Sequence, residues 1–190
     1  KWRVRQEFAP ERLSMETAVF DWAALRDINR HYIQQLSGGA LAEEIRPFLE
    51  DAYGRLPNAA GWLTQLATLI QPQLNTLEES IEAAEFALSD AFDVSGGEIT
   101  AVLQQPSARL VLTQLVAEVA HVVLLDAQTA QTILNGLEAR LAESNITVSQ
   151  IQQPIRAALS GQTDGPSLAQ IMGIIGKQRT LQRTAYILRQ

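Results

Sequence analysis

Residues 21–39 read DWAALRDINRHYIQQLSGG, and their periodicity is that of a helix. Asp21 is a candidate N-cap. After it Trp22, Leu25, Ile28, Tyr32 and Ile33 recur at helical spacing, and Ser37-Gly38-Gly39 is expected to stop the run. Outward from there the same period returns. Leu41, Ile45, Phe48 and Leu49 form a second amphipathic stretch ending near Gly54. Asn58 is expected to cap a third, with Trp62, Leu66, Leu69 and Ile70 on one face. It stops before Pro72, because the residue preceding a proline is steered away from helical geometry. Thr76 and Glu79 stand at capping-box spacing and open a fourth, with Leu77, Ile81, Ala84 and Leu88 as its apolar face.

Residues 89–97, SDAFDVSGG, interrupt the pattern with turn formers and two acids, and mark the expected boundary between sub-domains. Further helices are expected over 98–105, 106–125, 127–144, 154–159, 167–175 and 177–188. Pro106 and Pro154 are assigned to first-turn positions, where a missing N–H costs little. No strand, hairpin dipeptide or internal repeat stands out. The fold class is all-α, with two consecutive helical bundle sub-domains.

The chain has 190 residues, 46% hydrophobic and 19% charged, which is globular composition. It contains no Cys, which excludes a disulfide framework, a thiolate zinc site and a cysteine nucleophile. With only two His, no multi-histidine metal site is expected. No apolar run is long enough to span a bilayer. The leading KWRVRQEF has cations but no apolar stretch behind them, so no secretory signal is read and a cytoplasmic location is expected. Charge is uneven: residues 1–36 carry a net of +1, residues 37–150 a net of −11, and residues 151–190 a net of +4. An anionic partner would meet the last forty residues. The plain alternative is that these cations answer helix dipoles.

Chemical motifs are sparse. His31 and His121 lie far apart, so no Ser-His-acid triad is expected, and His121 among valines and alanines reads as core. Glu43, Glu44, Glu78, Glu79, Glu82 and Glu85 look like paired carboxylates, but Glu78, Glu82 and Glu85 have the spacing of a solvated helix face. Gly173-Ile-Ile-Gly176-Lys177 lacks the glycine spacing of a phosphate loop, and Gln178 stands where Ser or Thr would hold magnesium. Asn145-Ile146-Thr147 fits a glycosylation triplet, which means nothing without a secretory route. No catalytic residue and no metal ligand is assigned.

Three stretches carry a resemblance: FAPERLS with AVFDWAALRDINRHYIQQLS (8–14 and 18–37), IQPQLNTLEE (70–79), and QPIRAALSGQTDGPSLAQIMGIIGKQRTLQR (153–183). Together they resemble the post-catalytic part of bacterial-type glutamyl-tRNA synthetases. The third is the most specific, since it follows the family's Q-P-L-R-x-A-L-T-G…P-x-L…L-G-K-E-R block. The resemblance runs from about residue 8 to the end and is thin between about 90 and 150. It implies the end of a stem-contact fold over 1–36 and two helical anticodon-binding sub-domains over 37–93 and 94–190.

The resemblance also implies roles. Arg156 matches the arginine that reaches the anticodon bases, and a guanidinium suits this with its fork of donors and flat face. Gln162, Thr163, Gly165, Pro166, Ser167 and Leu168 match the loop that receives the anticodon. Gly165 stands where some relatives have a side-chain donor. Lys177 and Arg179 match basic residues after the loop, expected on phosphates. Gln73, with Leu74 and Thr76, replaces the family's R-F-x-T-L segment, whose arginine selects cytosine at the third anticodon base. A neutral glutamine offers both donor and acceptor. The expectation is therefore a non-discriminating parent that serves tRNA-Glu and tRNA-Gln. Arg12 matches a stem contact, and Phe20 and Trp22 are expected in the core. The ATP-binding signatures of H-I-G-H and K-M-S-K-S type are absent. No cofactor is expected here, while ATP and magnesium belong to a catalytic domain outside this sequence. The chain looks like an excised carboxy-terminal part of a monomer, or a free-standing relative of that part, inactive alone. The competing expectation is a helical protein-docking domain derived from the same fold, meeting a basic partner through residues 37–150.

Overall fold

Helix α1 (Trp22–Gln35) starts where the sequence indicates: the Asp21 carboxylate accepts from the N–H groups of Ala23 and Ala24 at 3.0 and 3.1 Å. It opens a computed structural model that describes residues 21–89, 94 and 96–190. The following helices are α2 (Gly38–Tyr53), α3 (Trp62–Ile70), α4 (Ser80–Leu88), α5 (Gly97–Leu103), α6 (Pro106–His121), α7 (Ala127–Ala142), α8 (Val148–Ser160) and α9 (Leu168–Leu188). A single tight helical turn, Gln71–Gln73, follows α3 and contains Pro72. The fold is all-α, and among the described residues no strand occurs.

Helix α2 packs on α3 and α4, while α9 runs against α6, α7 and α8 and also touches α3 and α4. The buried apolar residues form one continuous cluster across both groups. Leu41, Ile45 and Leu49 of α2, Leu66 and Ile70 of α3, Leu112 and Leu115 of α6, Leu134 and Leu137 of α7, and Ile151 and Ile155 of α8 are all essentially fully buried. Each such side chain contributes about 1.5–3 kcal/mol of transfer free energy. Two side chains pin the groups further: Trp62 Nε1 donates to Ile174 O at 3.0 Å, and Arg183 joins α4 to α8 as described below. The expected boundary at 93/94 falls among residues 90–93 and 95, outside the described residues, as does Arg12 with the rest of residues 1–20, Phe20 included.

Several local expectations are corrected. The first run does stop ahead of Ser37, after Gln35, but Ser37-Gly38-Gly39 also starts the next helix, since Ser37 Oγ accepts from Ala40 N and caps α2. Gly38 is glycine because α2 crosses α3 there: a Cβ would meet Thr68 Oγ1 at 2.1 Å. The cap of α3 is Gly61 at φ 74°, not Asn58. Thr76 does not cap α4. The Glu79 carboxylate accepts from the backbone of Asn75 and Thr76 and closes the turn upstream, so the helix begins at Ser80. Pro154 lies inside α8, because the Thr147–Gln150 capping box opens that helix six residues earlier. His121 is exposed at the end of α6, not core. Helix α6 stops there rather than at 125, and α7 stops at Ala142. Trp22 is 71% exposed, and of α1 only Ile33 is buried. Polar links hold α1 in place instead. By contrast, the break expected between 167–175 and 177–188 is present: Gly176 kinks α9 there, with a φ of 72° and a ψ of 175° that suit glycine alone.

Candidate nucleic-acid interface

The α3–α4 connection presents the first segment. Leu74 is fully buried and anchors it. Gln71 Nε2 donates to the carbonyls of Ile33 and Leu36 at 2.8 and 2.9 Å, tying the turn to the end of α1. Arg30 donates to Asn75 Oδ1 at 3.0 Å and to Pro72 O at 3.3 Å, and Arg26, one helical turn earlier, pairs with Glu79. Burial would raise the Glu79 carboxyl, but the Asn75 and Thr76 donors and Arg26 outweigh it and leave it below its ordinary value. Thr76 is half-buried. Gln73 is exposed, and its side chain makes no hydrogen bond among the described residues. Sequence reasoning missed Arg30. Its contact lies more than forty residues away along the chain, with no local signal to reveal it.

The second segment joins α8 to α9. Gly161, at φ 65°, ends α8, and the chain turns through residues 162–167 before Leu168, buried, starts α9. Arg156 sits on the last turns of α8 and is 9% exposed. Its Nη1 donates to Pro166 O at 2.6 Å, closing the loop against the helix. Burial pushes the guanidinium below its ordinary value, and Asp164 opposes that. Gly165, at φ 127°, leaves a small cradle open: a Cβ there would stand 3.2 Å from Gln162 Oε1 and 3.7 Å from Arg156 Nη1. An acceptor and a donor thus flank one bare backbone position. Gln162, Gly165 and Ser167 are exposed, while Thr163 and Pro166 are half-buried. Thr163 Oγ1 donates to Glu98 Oε1 of α5 at 3.0 Å, a partner that sequence reasoning did not find.

The basic residues beyond the loop face inward. Lys177 Nζ donates to Ala120 O at 2.8 Å and Val122 O at 2.7 Å, capping α6. Arg179 Nη1 donates to Ala87 O. Arg183, 5% exposed, donates to Phe86 O and Ser89 O, each at 2.7 Å, and to Leu159 O. All these carbonyls lie at helix C-terminal ends, where the helix dipole favours a cation. Lys177 and Arg179 therefore stand on carbonyls in this structure, and a phosphate would meet only their remaining donors. Arg183 fastens the end of α4 to the end of α8, so it links the scaffolds of the two segments. Among the described residues no group of three His, Asp or Glu side chains is placed to hold a metal ion.

Residues 40–188 match the anticodon binding domain family, a span that includes both segments. The chain belongs to that family. It is 31% identical to a glutamate–tRNA ligase of Thermus thermophilus, over 94% of this chain and 37% of the relative. With the ligase of Bacillus subtilis the identity is 29%, over 93% of this chain and 36% of the relative. The crystal structure of a glutamate–tRNA ligase from Elizabethkingia meningosepticum superposes with a TM-score of 0.79 at 17% identity, over 97% of this chain and 35% of that one. The chain thus spans little more than a third of the relatives it matches. No helix among the described residues is long and apolar enough to cross a membrane.

Proposed function

We propose that this anticodon-binding domain reads the anticodon of tRNA-Glu within a glutamate–tRNA ligase, and that it contributes recognition, not chemistry. The reading is carried by one observation: the family match includes a loop in which a nearly buried guanidinium and a glutamine carbonyl flank a glycine with no side chain. Unpaired anticodon bases expose their Watson–Crick edges, so a fixed donor and acceptor can sort them. Leu74 and Leu168 serve as anchors for the two segments, and Arg156, Gln162, Thr163, Gly165, Pro166, Ser167, Gln73 and Thr76 form the reading surface. Lys177 and Arg179 keep their proposed place as phosphate contacts through the donors left over. Arg12 is proposed as a stem contact, and the divisions 1–36, 37–93 and 94–190 as sub-domains. The parent works in the cytoplasm as a monomer and uses ATP and magnesium in its catalytic domain. The test is tRNA-Glu binding by this chain and by its Arg156→Ala variant. Loss of about tenfold or more supports the reading, and unchanged affinity contradicts it.

Gln73 extends the proposal to tRNA choice. It is exposed and unengaged, so its amide can turn to offer either a donor or an acceptor to the third anticodon base. The parent enzyme is then non-discriminating. Charging tRNA-Glu and tRNA-Gln with the full-length ligase tests this, and a preference for tRNA-Glu of about a hundredfold or more would refute it. A second reading, a protein-docking module, draws on the exposed row Glu78, Glu82 and Glu85 beside Trp22 and Tyr53. Salt-insensitive protein binding without RNA affinity would favour it.

A further inference from the structure

One side of the 161–167 loop is a donor side, because Arg156 has only N–H groups to give. The other side is set by a residue outside the loop. Thr163 Oγ1 stands 3.0 Å from Glu98 Oε1. An ionised carboxylate has no hydrogen to offer, so the Thr163 hydroxyl proton is committed to Glu98. What Thr163 can still present to a ligand is lone pairs. Glu98 is exposed, and its second oxygen, which makes no hydrogen bond among the described residues, adds a further acceptor. Helix α5 carries Glu98 and packs on α8, so this corner is held by helices, not by the loop alone. Asp164, exposed on the same loop, keeps the local charge unfavourable for phosphate.

We infer that Glu98 and Thr163 form an acceptor-only edge of the loop, which selects an unpaired base presenting an N–H there and rejects one presenting a carbonyl. This rests on the reading of the loop as an anticodon site and names its specificity. An N–H aimed at the corner gains a charge-assisted hydrogen bond. A carbonyl meets lone pairs and a negative charge, and its own acceptor goes unsatisfied. Cytosine and uracil separate the two cases cleanly, since the amino group of one becomes the O4 of the other. Thr163 is the reading group. Glu98 is a positioning residue for that hydroxyl as well as an acceptor in its own right.

The experiment uses the 190-residue chain and synthetic anticodon stem-loops that differ only by cytosine or uracil at each anticodon position in turn. The unaltered chain is expected to prefer cytosine at one position by about tenfold. Glu98→Ala and Thr163→Val are expected to erase that preference, and Thr163→Ser to keep it. Far-ultraviolet circular dichroism checks that each variant is folded. A Glu98→Ala variant that binds cytosine and uracil loops more tightly by the same factor overturns the inference, because the carboxylate then only repels phosphate. An unchanged ratio in both variants, or no preference in the unaltered chain, also overturns it. Absence of RNA binding, or binding indifferent to Arg156→Ala, defeats the reading of the loop itself and takes the inference with it.

Discussion

Arg156 is nearly buried and spends one donor on Pro166 O, so its removal has two separable effects. Arg156→Ala leaves that carbonyl without its partner and is expected to lower stability by about 1–3 kcal/mol in urea unfolding. Arg156→Lys keeps the charge but not the fork, so it should recover part of the stability and little of the RNA affinity. Gly165 makes the complementary case. At φ 127° an alanine is strained whatever the space, and its methyl would crowd Gln162 Oε1 at 3.2 Å. Gly165→Ala is expected to cost about 1 kcal/mol and to weaken RNA binding further by filling the cradle. Glu79 gives a pH dependence. Burial raises its carboxyl, but the Asn75 donors, Arg26 and Thr76 lower it more, and the net shift is downward. Its contribution is therefore complete above the unfolded carboxyl value of about 4.3 and is lost as pH falls through the lower folded value. Urea unfolding followed between pH 6 and 3 should show this loss, and Glu79→Gln should remove that part of the pH dependence.

At the scale of elements, Gly176 divides α9. With φ 72° and ψ 175° it ends one helical direction and begins another, and it aims Lys177 at the carbonyls of Ala120 and Val122. Gly176→Ala is expected to cost about 1–3 kcal/mol and to release the end of α6, which amide hydrogen exchange at residues 118–122 would report. The helices themselves were legible because capping and apolar period are local: Asp21, Gly54 and the break at Gly176 could all be placed from the sequence. What failed had a competing local signal. Pro154 looked like a helix start because proline favours the first turn, yet Thr147 and Gln150 already spelled a capping box upstream. Trp22 is expected in the core from its apolar character, but Arg26, Arg30 and Gln71 hold α1 by polar contacts and leave Trp22, Ile28 and Tyr32 exposed. Glu98 could not be found at all, because its partner Thr163 lies 65 residues away.

For the whole molecule, the proposed function raises the question of how an acidic chain would hold an anionic polymer. The sequence places a net of +4 in residues 151–190, against a total of −6. Counting charges does not say where they point. Of the five cations there, Arg156, Lys177, Arg179 and Arg183 all donate to main-chain carbonyls, and Arg189 is exposed. The carboxy-terminal charge therefore serves mainly to cap helices and to fasten α4 and α6 to the helices that carry the loop. On the proposed reading, the affinity of the loop for RNA would then come from base contacts more than from phosphates neutralised by these residues. Each phosphate neutralised on a single strand steepens the plot of log affinity against log salt by about 0.7. With so few cations of residues 151–190 free to turn outward, binding of an anticodon stem-loop that meets only this part of the chain should show a slope no steeper than about −3 between 50 and 200 mM salt. Titrations at several salt concentrations measure it directly. A markedly steeper slope would mean that Lys177, Arg179 and Arg183 leave their carbonyls when RNA arrives. In that event Lys177→Met would flatten the slope by about one phosphate, whereas a capping role alone predicts lower stability with the slope unchanged.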